Sequence, residues 1–358
     1  MNFNKGELMK NTVKSAIVLI LSVIMAMILI SCTAQSEEIA TESTTKSTTQ
    51  PTTFGVQQKK NLDRAKKYMR DDYKTNRAAT PAVEYQGYTY YGDGVIDDEF
   101  SGCIYKEDKN GSREVFIDDV CCFQMILYEH YLFYVDEETW GIYKTDLDNP
   151  GKYEKINKDC VILVDSTVST VCETVYLKND SLVYIANIDG YPSAYSDENS
   201  VYRYDIATGE TSLIESLGAG EYFVGEYGYY AEYIYDESGG EIVYYSDSGE
   251  VLKDDKFSKD DKGFYLYPGE NVYEDENYII VEEQEVNSTE EYDEQTFVRT
   301  LYNKKTGNAQ IVDGSSSVGI VGSRIYTVFY DVPEDYNPES TTENQIITIK
   351  SAVYDLKV

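Results

Sequence analysis

Six pairs of short runs rich in Tyr, Val and Ile recur along residues 78–358, and they limit what this chain can fold into more than any other feature. The first member of each pair is Tyr88–Tyr91, Tyr131–Tyr134, Ser181–Tyr184, Tyr227–Tyr230, Tyr278–Val281 or Arg324–Thr327. The second is Ile104–Lys106, Ile142–Lys144, Val201–Arg203, Val243–Tyr245, Leu301–Asn303 or Val353–Asp355. Alternation at period two reads as half-buried strands, and no long apolar stretch at the 3.6-residue period competes with it. After five of the six second members comes a turn that ends in Gly111, Gly151, Gly209, Gly249 or Gly307. Glycine there permits the positive φ that closes a short hairpin.

The second members are spaced 38, 59, 42, 58 and 52 residues apart. Six units in this span average about 47 residues, near the 40–50 of propeller blades. One blade cannot bury both of its faces, so blades stack around an axis. The expectation is an all-β chain whose residues 78–358 form a β-propeller of six blades, with five to seven as the range. A β-sandwich with irregular hairpins is the competing fold. Two arrangements are open where the last unit meets the first. Ala78–Tyr85 supplies the outermost strand of the last unit, or Ala82–Tyr85 is the first inner strand and the last blade is one strand short. Removal of exposed edges favours the former.

Phe133-Tyr134-Val135-Asp136, followed by Gly141–Gly151, resembles a blade of the low-density-lipoprotein-receptor-related propellers, and Gly102–Ile117 is a second match. The family's Tyr-Trp-Thr-Asp signature falls on Tyr134–Asp136, here without the Trp and one residue shorter. The resemblance spans most of residues 80–358 and is loose beyond the first two units. It implies six blades and a binding role. Similar propellers of unknown function occur in bacterial surface lipoproteins.

The N-terminal part reads as an address. Lys5, Lys10 and Lys14 precede an apolar run, Ala16–Ile30, that only Ser22 interrupts. Fifteen residues fall short of the roughly 20 needed to span a bilayer. Leu29-Ile30-Ser31-Cys32 resembles the lipobox of bacterial lipoproteins. The resemblance implies cleavage after residue 31, acylation of the Cys32 thiol, and a lipid-anchored domain outside the cytoplasm, in a Gram-positive-type envelope. An uncleaved signal anchor is the alternative. Residues 32–56 read as a tether, since Thr41–Thr53 holds nine Ser or Thr in thirteen residues and nothing apolar to bury. Residues 57–77 carry eight basic and three acidic side chains, with Leu62, Ala65, Met69 and Tyr73 on one helical face. This segment is a basic helix against anionic lipid or against the acidic domain, or a solvated spacer.

Charge then narrows the function. The chain has 64 acidic and 31 basic side chains, a net −33, which excludes nonspecific nucleic-acid binding. With strands lettered a to d outward in each blade, the b–c connections share one end of the blades and the c–d turns share the other. The segments 92–102, 135–139, 187–199, 236–241, 282–296 and 331–344 hold 25 acids and no Lys or Arg. These b–c segments also contain the longest insertions, and repeat proteins place insertions on the binding face. Tyr191, Tyr195 and Tyr292 are the candidate ligand-stacking residues there. Solubility is the plainer account of such a face. Calcium is the hard cation that carboxylates suit, yet no EF-hand loop fixes a site, and no cofactor or metal ligand is assigned.

Dedicated chemistry finds little support. His130, the single histidine, sits at an expected hairpin turn without an evident nucleophile. No phosphate loop, CxxC or HExxH occurs. Beyond Cys32 the cysteines are Cys103, Cys121, Cys122, Cys160 and Cys172, an odd number read mainly as small buried hydrophobes. The expected function is a membrane-anchored, non-catalytic binding or scaffold module. Its partner would be a basic envelope protein, a peptide or a glycan. The alternative is hydrolysis of a carbohydrate or lactone by Asp and Glu on the acidic face.

Overall fold

In a computed structural model, the described residues are 52–96, 100–139, 141–157, 161–162, 175–187, 199–218, 220–225, 227–260, 263, 265–288, 293–312, 317–331 and 348–358. They form one helix, α1 (Thr52–Ala65), and 25 strands. The fold is an all-β, six-bladed β-propeller, built of small antiparallel sheets that follow one another in sequence. After β1 (Asn76–Ala78), blade one comprises β2 (Ala82–Tyr85), β3 (Tyr88–Ile96), β4 (Phe100–Asp108) and β5 (Arg113–Asp118). Blade two is β6 (Gln124–Tyr128), β7 (Tyr131–Asp136), β8 (Gly141–Asp146) and β9 (Tyr153–Lys155). Blade three follows a short β10 (Val161–Ile162) and comprises β11 (Val175–Lys178), β12 (Ser181–Asn187), β13 (Asn199–Asp205) and β14 (Thr211–Ser216). Blade four is β15 (Glu221–Phe223), β16 (Tyr230–Tyr235), β17 (Gly239–Tyr245) and β18 (Val251–Ser258). Blade five is β19 (Glu270–Glu274), β20 (Tyr278–Ser288), β21 (Asp293–Asn303) and β22 (Ala309–Val312). Blade six has three strands, β23 (Val318–Val321), β24 (Arg324–Asp331) and β25 (Thr348–Asp355).

The tyrosines of the repeat are cross-strand pairs. Tyr91 lies opposite Tyr105, Tyr134 opposite Tyr143, Tyr184 opposite Tyr202, and Tyr230 opposite Tyr245. Three of these pairs stack, with centroids 5.4, 5.8 and 4.7 Å apart. Directly opposed aromatics are among the better cross-strand pairs, and the phenol keeps one polar end for water. This is why a chain with 36 tyrosines can build a sheet core with few phenylalanines.

The chain divides into two compact units. The larger holds blades one to four and blade six. Their facing surfaces make consecutive cores. Tyr90, Ile104 and Ile117 of blade one meet Met125, Leu132 and Tyr134 of blade two. Phe133 and Ile142 then meet Leu182, Tyr184 and Tyr204. Val183 and Val201 meet Tyr230. Tyr326 of blade six meets Ala82 and Tyr91 of blade one. Side chains that alternate along a strand face both neighbours, which is how a two-sided blade buries two apolar faces.

The smaller unit is α1 and blade five. Ala65 is fully buried, and Tyr68 and Met69 pack with it on Ile279, Val281 and Tyr302. Asn61 donates to the Gly307 carbonyl (2.9 Å), and Gln58 donates to Asn308 Oδ1 (2.9 Å). Arg64 pairs with Glu283 at 2.5 Å, and Asn271 Nδ2 donates to the Tyr68 carbonyl at 3.0 Å. The helix ends at Ala65, and Lys66–Tyr68 continue as turns.

Three expectations need correction. Ala82–Tyr85 pairs with β3 as the first inner strand, so blade six lacks a fourth strand among the described residues. β25 is joined instead to β3 of blade one through Ile349↔Ile96 and Lys350↔Val95. The blade-four run Tyr227–Tyr230 is mostly turn: Gly228 takes φ +64 and the strand starts at Tyr230. Finally, two segments read as loops are strand. β3 and β4 pair as far as Ile96↔Phe100, and β20 and β21 as far as Ser288↔Asp293. Acidic residues interrupt the apolar–polar alternation of the sequence in these hairpins, which removes the period-two signal.

Candidate functional site

The five turn glycines all take positive φ, at +81, +110, +74, +76 and +72 for Gly111, Gly151, Gly209, Gly249 and Gly307. A second feature of these turns was not read from the sequence. The last strand residue, or the residue just after it, is Asp108, Asp146, Asp205, Ser246 or Asn303, and its side-chain oxygen accepts turn N–H groups. Asp108 Oδ1 takes Asn110 N and Ser112 N, and Asp205 Oδ1 takes Thr208 N. Ser246 Oγ takes Ser248 N and Glu250 N, and Asn303 Oδ1 takes Lys305 N and Thr306 N. These are Asx- and Ser-turns, in which a short side chain replaces a backbone acceptor. The backbone donors hold the Asp108 and Asp205 carboxyls below the usual carboxylate range. The signal was present as an Asp, Ser or Asn three to five residues before each glycine.

The b–c end differs. In blade two, Asp136 accepts Glu138 N at 3.2 Å and Thr139 Oγ1 at 2.7 Å, so both its oxygens serve its own turn. Glu137 N donates to the Cys121 carbonyl at 2.8 Å, which turns the Glu137 side chain inward. Only 8% of Glu137 is exposed. Burial, then the Asp136 charge, pushes its carboxyl up to about 8. It is a neutral acid at pH 7. Around it, Cys121 and Cys122 are buried and free, as is Cys103. Burial pushes the Cys121 and Cys122 thiols up, so neither is a thiolate nucleophile. Sequence offered no signal for Glu137, since Asp136-Glu137-Glu138 looks like solvated turn.

A cleft lies between blade six and blade one. It measures about 160 Å³ and is lined by Tyr91, Asp93, Arg113, Tyr326, Thr327 and Ser351, among others. The Ser351 hydroxyl is buried there without a hydrogen-bond partner. Arg113 lies over the Tyr105 ring at 4.6 Å and donates to Tyr91 Oη at 3.5 Å. Small-molecule sites usually run to 300–1,000 Å³, so this cleft suits a side chain or a few waters.

Cys32, Cys160, Cys172, Tyr191, Tyr195 and Tyr292 lie outside the described residues. The structure therefore neither gathers nor separates the three candidate tyrosines. His130 sits in the β6–β7 turn, where its carbonyl accepts Leu147 N and its ring lies 4.1 Å from that of Tyr131. Among the described residues, no three His, Cys, Asp or Glu side chains come together to hold a metal. Among the same residues, no helix is long and apolar enough to cross a membrane.

No protein-family model matches the chain, and no curated protein matches it. Solved structures resemble it in backbone. Puromycin hydrolase superposes with a TM-score of 0.35 at 8% identity, over 70% of this chain and 50% of that one. The Pyrococcus horikoshii acylaminoacyl peptidase gives 0.36 at 12% identity, over 73% and 44%. A nidogen/laminin complex gives 0.30 at 8% identity, over 65% and 77%. The chain thus spans half or less of the length of the two hydrolases. TM-scores below 0.5 at such identity say nothing about activity.

Proposed function

We propose that this chain is a lipid-anchored, extracytoplasmic β-propeller that binds a partner at the b–c ends of its blades and catalyses no reaction. The observation that carries this reading is a lipobox-like Leu29–Cys32 ahead of a propeller whose acids and insertions gather in its b–c segments. Acylation of Cys32 would hold the domain at the membrane through more than one chain, as stable anchoring requires. The acidic insertions, with Tyr191, Tyr195 and Tyr292, suit a basic envelope protein, a peptide or a glycan. Calcium is the cation they would take.

Two measurements test this. Mass spectrometry of the cell-made protein should find an N-terminal acylated Cys32, and Cys32→Ala should release the chain from the membrane fraction. Captured envelope partners should be basic and should elute with salt. An unmodified Cys32 would overturn the anchor, and salt-resistant capture would overturn the electrostatic face.

A second reading, hydrolysis of a carbohydrate or lactone, draws on Glu137. A carboxyl protonated at pH 7 is what a general acid requires. Against it, Asp136 is committed to its turn, so the second carboxylate of a hydrolytic pair must come from elsewhere. Turnover of a glycoside or lactone that Glu137→Gln abolishes would establish this reading in place of the first.

A further inference from the structure

Helix α1 has two faces with different partners. Gln58, Asn61, Leu62 and Ala65 point to blade five, where the Gly307 turn, Ile279, Val281 and Tyr302 receive the helix and the turn after it. At 100° per residue, Val56, Lys59, Lys60 and Asp63 fall on the opposite side, and Lys66 and Lys67 follow in the turn after the helix. All six are exposed, Val56 by 53%. Lys66 reaches Asp63 at 3.9 Å, a solvated contact of little strength. Four lysines against one aspartate give this stretch of α1 and the turn after it +3 within a chain of net −33.

We infer that this basic side of α1 rests on an anionic bilayer surface. The inference rests on the anchor reading above. Nineteen residues lie between Cys32 and Thr52. A Ser/Thr-rich chain of that length, read as a tether from its composition, would span about 25 Å on average. The helix is therefore held where a charged bilayer is the nearest large surface, at high effective concentration. Juxtamembrane lysine clusters bind anionic headgroups, and the field decays within a Debye length, so the lysines act only on contact. Val56, on the same side, can enter the headgroup region.

The arrangement also orients blade five. Gln58, Asn61 and Leu62 of α1 lie at the Gly307 turn, and Arg64 at its C-terminal end reaches Glu283, halfway up β20. The β20–β21 hairpin runs on five residues to Ser288, about 16 Å further. Segment 282–296 of that hairpin holds seven acids and no base. An anionic bilayer attracts one end of this unit and repels the other, so the hairpin projects outward, toward a partner.

The test uses the full-length chain, purified from cells and reconstituted on vesicles. One set is phosphatidylcholine, and the other adds phosphatidylglycerol. An amine-reactive, membrane-impermeant label is read residue by residue by mass spectrometry, with exposed Lys109 as the internal reference. Labelling of Lys59, Lys60, Lys66 and Lys67 relative to Lys109 should fall about fivefold or more on the anionic vesicles, and should recover in about 0.5 M salt. Equal labelling on both vesicles overturns the inference, as does equal protection on both, which would mean that protein covers the lysines. Failure to float with neutral vesicles overturns the anchor reading instead. Flotation with the anionic vesicles alone would then still support the lysine face, and flotation with neither would overturn both.

Discussion

Asp205 and Glu137 carry the same formal charge at opposite ends of their blades, and the fold treats them in opposite ways. At the c–d end, Asp205 sits in water and collects turn N–H groups, which keep it ionised. At the b–c end, Glu137 is withdrawn from water without compensating donors and keeps its proton. A third acid, Glu282 in blade five, is buried like Glu137 but stays paired, with Arg299 Nε at 2.7 Å. Net charge counted from sequence therefore overstates what the b–c ends present to a ligand. Some of those acids are turn caps, one is an internal ion pair and one is neutral.

The largest expected effect breaks the paired case. Arg299→Ala leaves Glu282 buried without its counter-ion, and truncating one partner of a buried pair typically costs about 3–5 kcal/mol. Urea denaturation of the variant should show that loss. A replacement of both residues by apolar ones should recover much of it. If Arg299→Ala unfolds at the same urea concentration as the parent, Glu282 is solvated and the contrast with Asp205 fails.

Glu137→Gln comes next, with the opposite sign. The folded carboxyl titrates near 8 and an unfolded one near 4.5. Between those values the folded state holds a proton that the unfolded state has lost. The stability from neutral Glu137 is complete below about pH 4.5 and drains away as pH rises through 8. Gln has no such slope. The variant should match the parent at pH 4 and exceed it at pH 9 by an amount on the order of a few kcal/mol. Parallel melts across that range measure the difference directly, and curves that stay parallel would place Glu137 in water.

The turn glycines sharpen the comparison between blades. Gly111 and Gly307 occupy the same turn position, at φ +81 and +72. A methyl group at Gly111 meets open space, so Gly111→Ala pays only the left-handed backbone penalty, about 1 kcal/mol. At Gly307 the methyl would collide with the Gln58 carbonyl of α1. Gly307→Ala should therefore cost more than Gly111→Ala and should raise proteolysis near Asn61. Equal costs would mean that α1 is not docked.

These residues also mark how far the sequence could be read. The glycine turns and paired tyrosines repeat, and repetition exposes them without a structure. Local chemistry fixes both, through positive φ and strand alternation. Glu137, the α1 docking face and a last blade with three strands among the described residues do not repeat. Asn61 meets Gly307 across 246 residues and Tyr68 meets Glu283 across 215, so no local pattern could announce them. Glu137 is tied by its N–H to the Cys121 carbonyl, remote in sequence, whereas its sequence neighbours look like ordinary solvated turn. The same limit explains why the sequence leaves Ala82–Tyr85 open between two strand positions and edge removal favours the one not observed. Its four residues fit either strand position, and only pairing with Tyr88–Tyr91 decides between them.

The smallest effect tests what the c–d caps require. Blades four and five use Ser246 and Asn303 where blades one, two and three use aspartate. A neutral acceptor already works at that position, so the oxygen matters and the charge is secondary. Asp205→Asn keeps the acceptor and should leave the melting temperature nearly unchanged at pH 7, while Asp205→Ala should lower it by about 2 °C. The charge enters only through pH. The Asp205 carboxyl is depressed, so its contribution is present above the unfolded value of 3.8 and is lost as pH falls through the folded one. The small gap between parent and Asp205→Asn should thus close in acid from the parent's favourable side. The Glu137→Gln gap should close in acid from the unfavourable side. If both gaps closed from the same side, burial and turn capping would not be what separates the two ends.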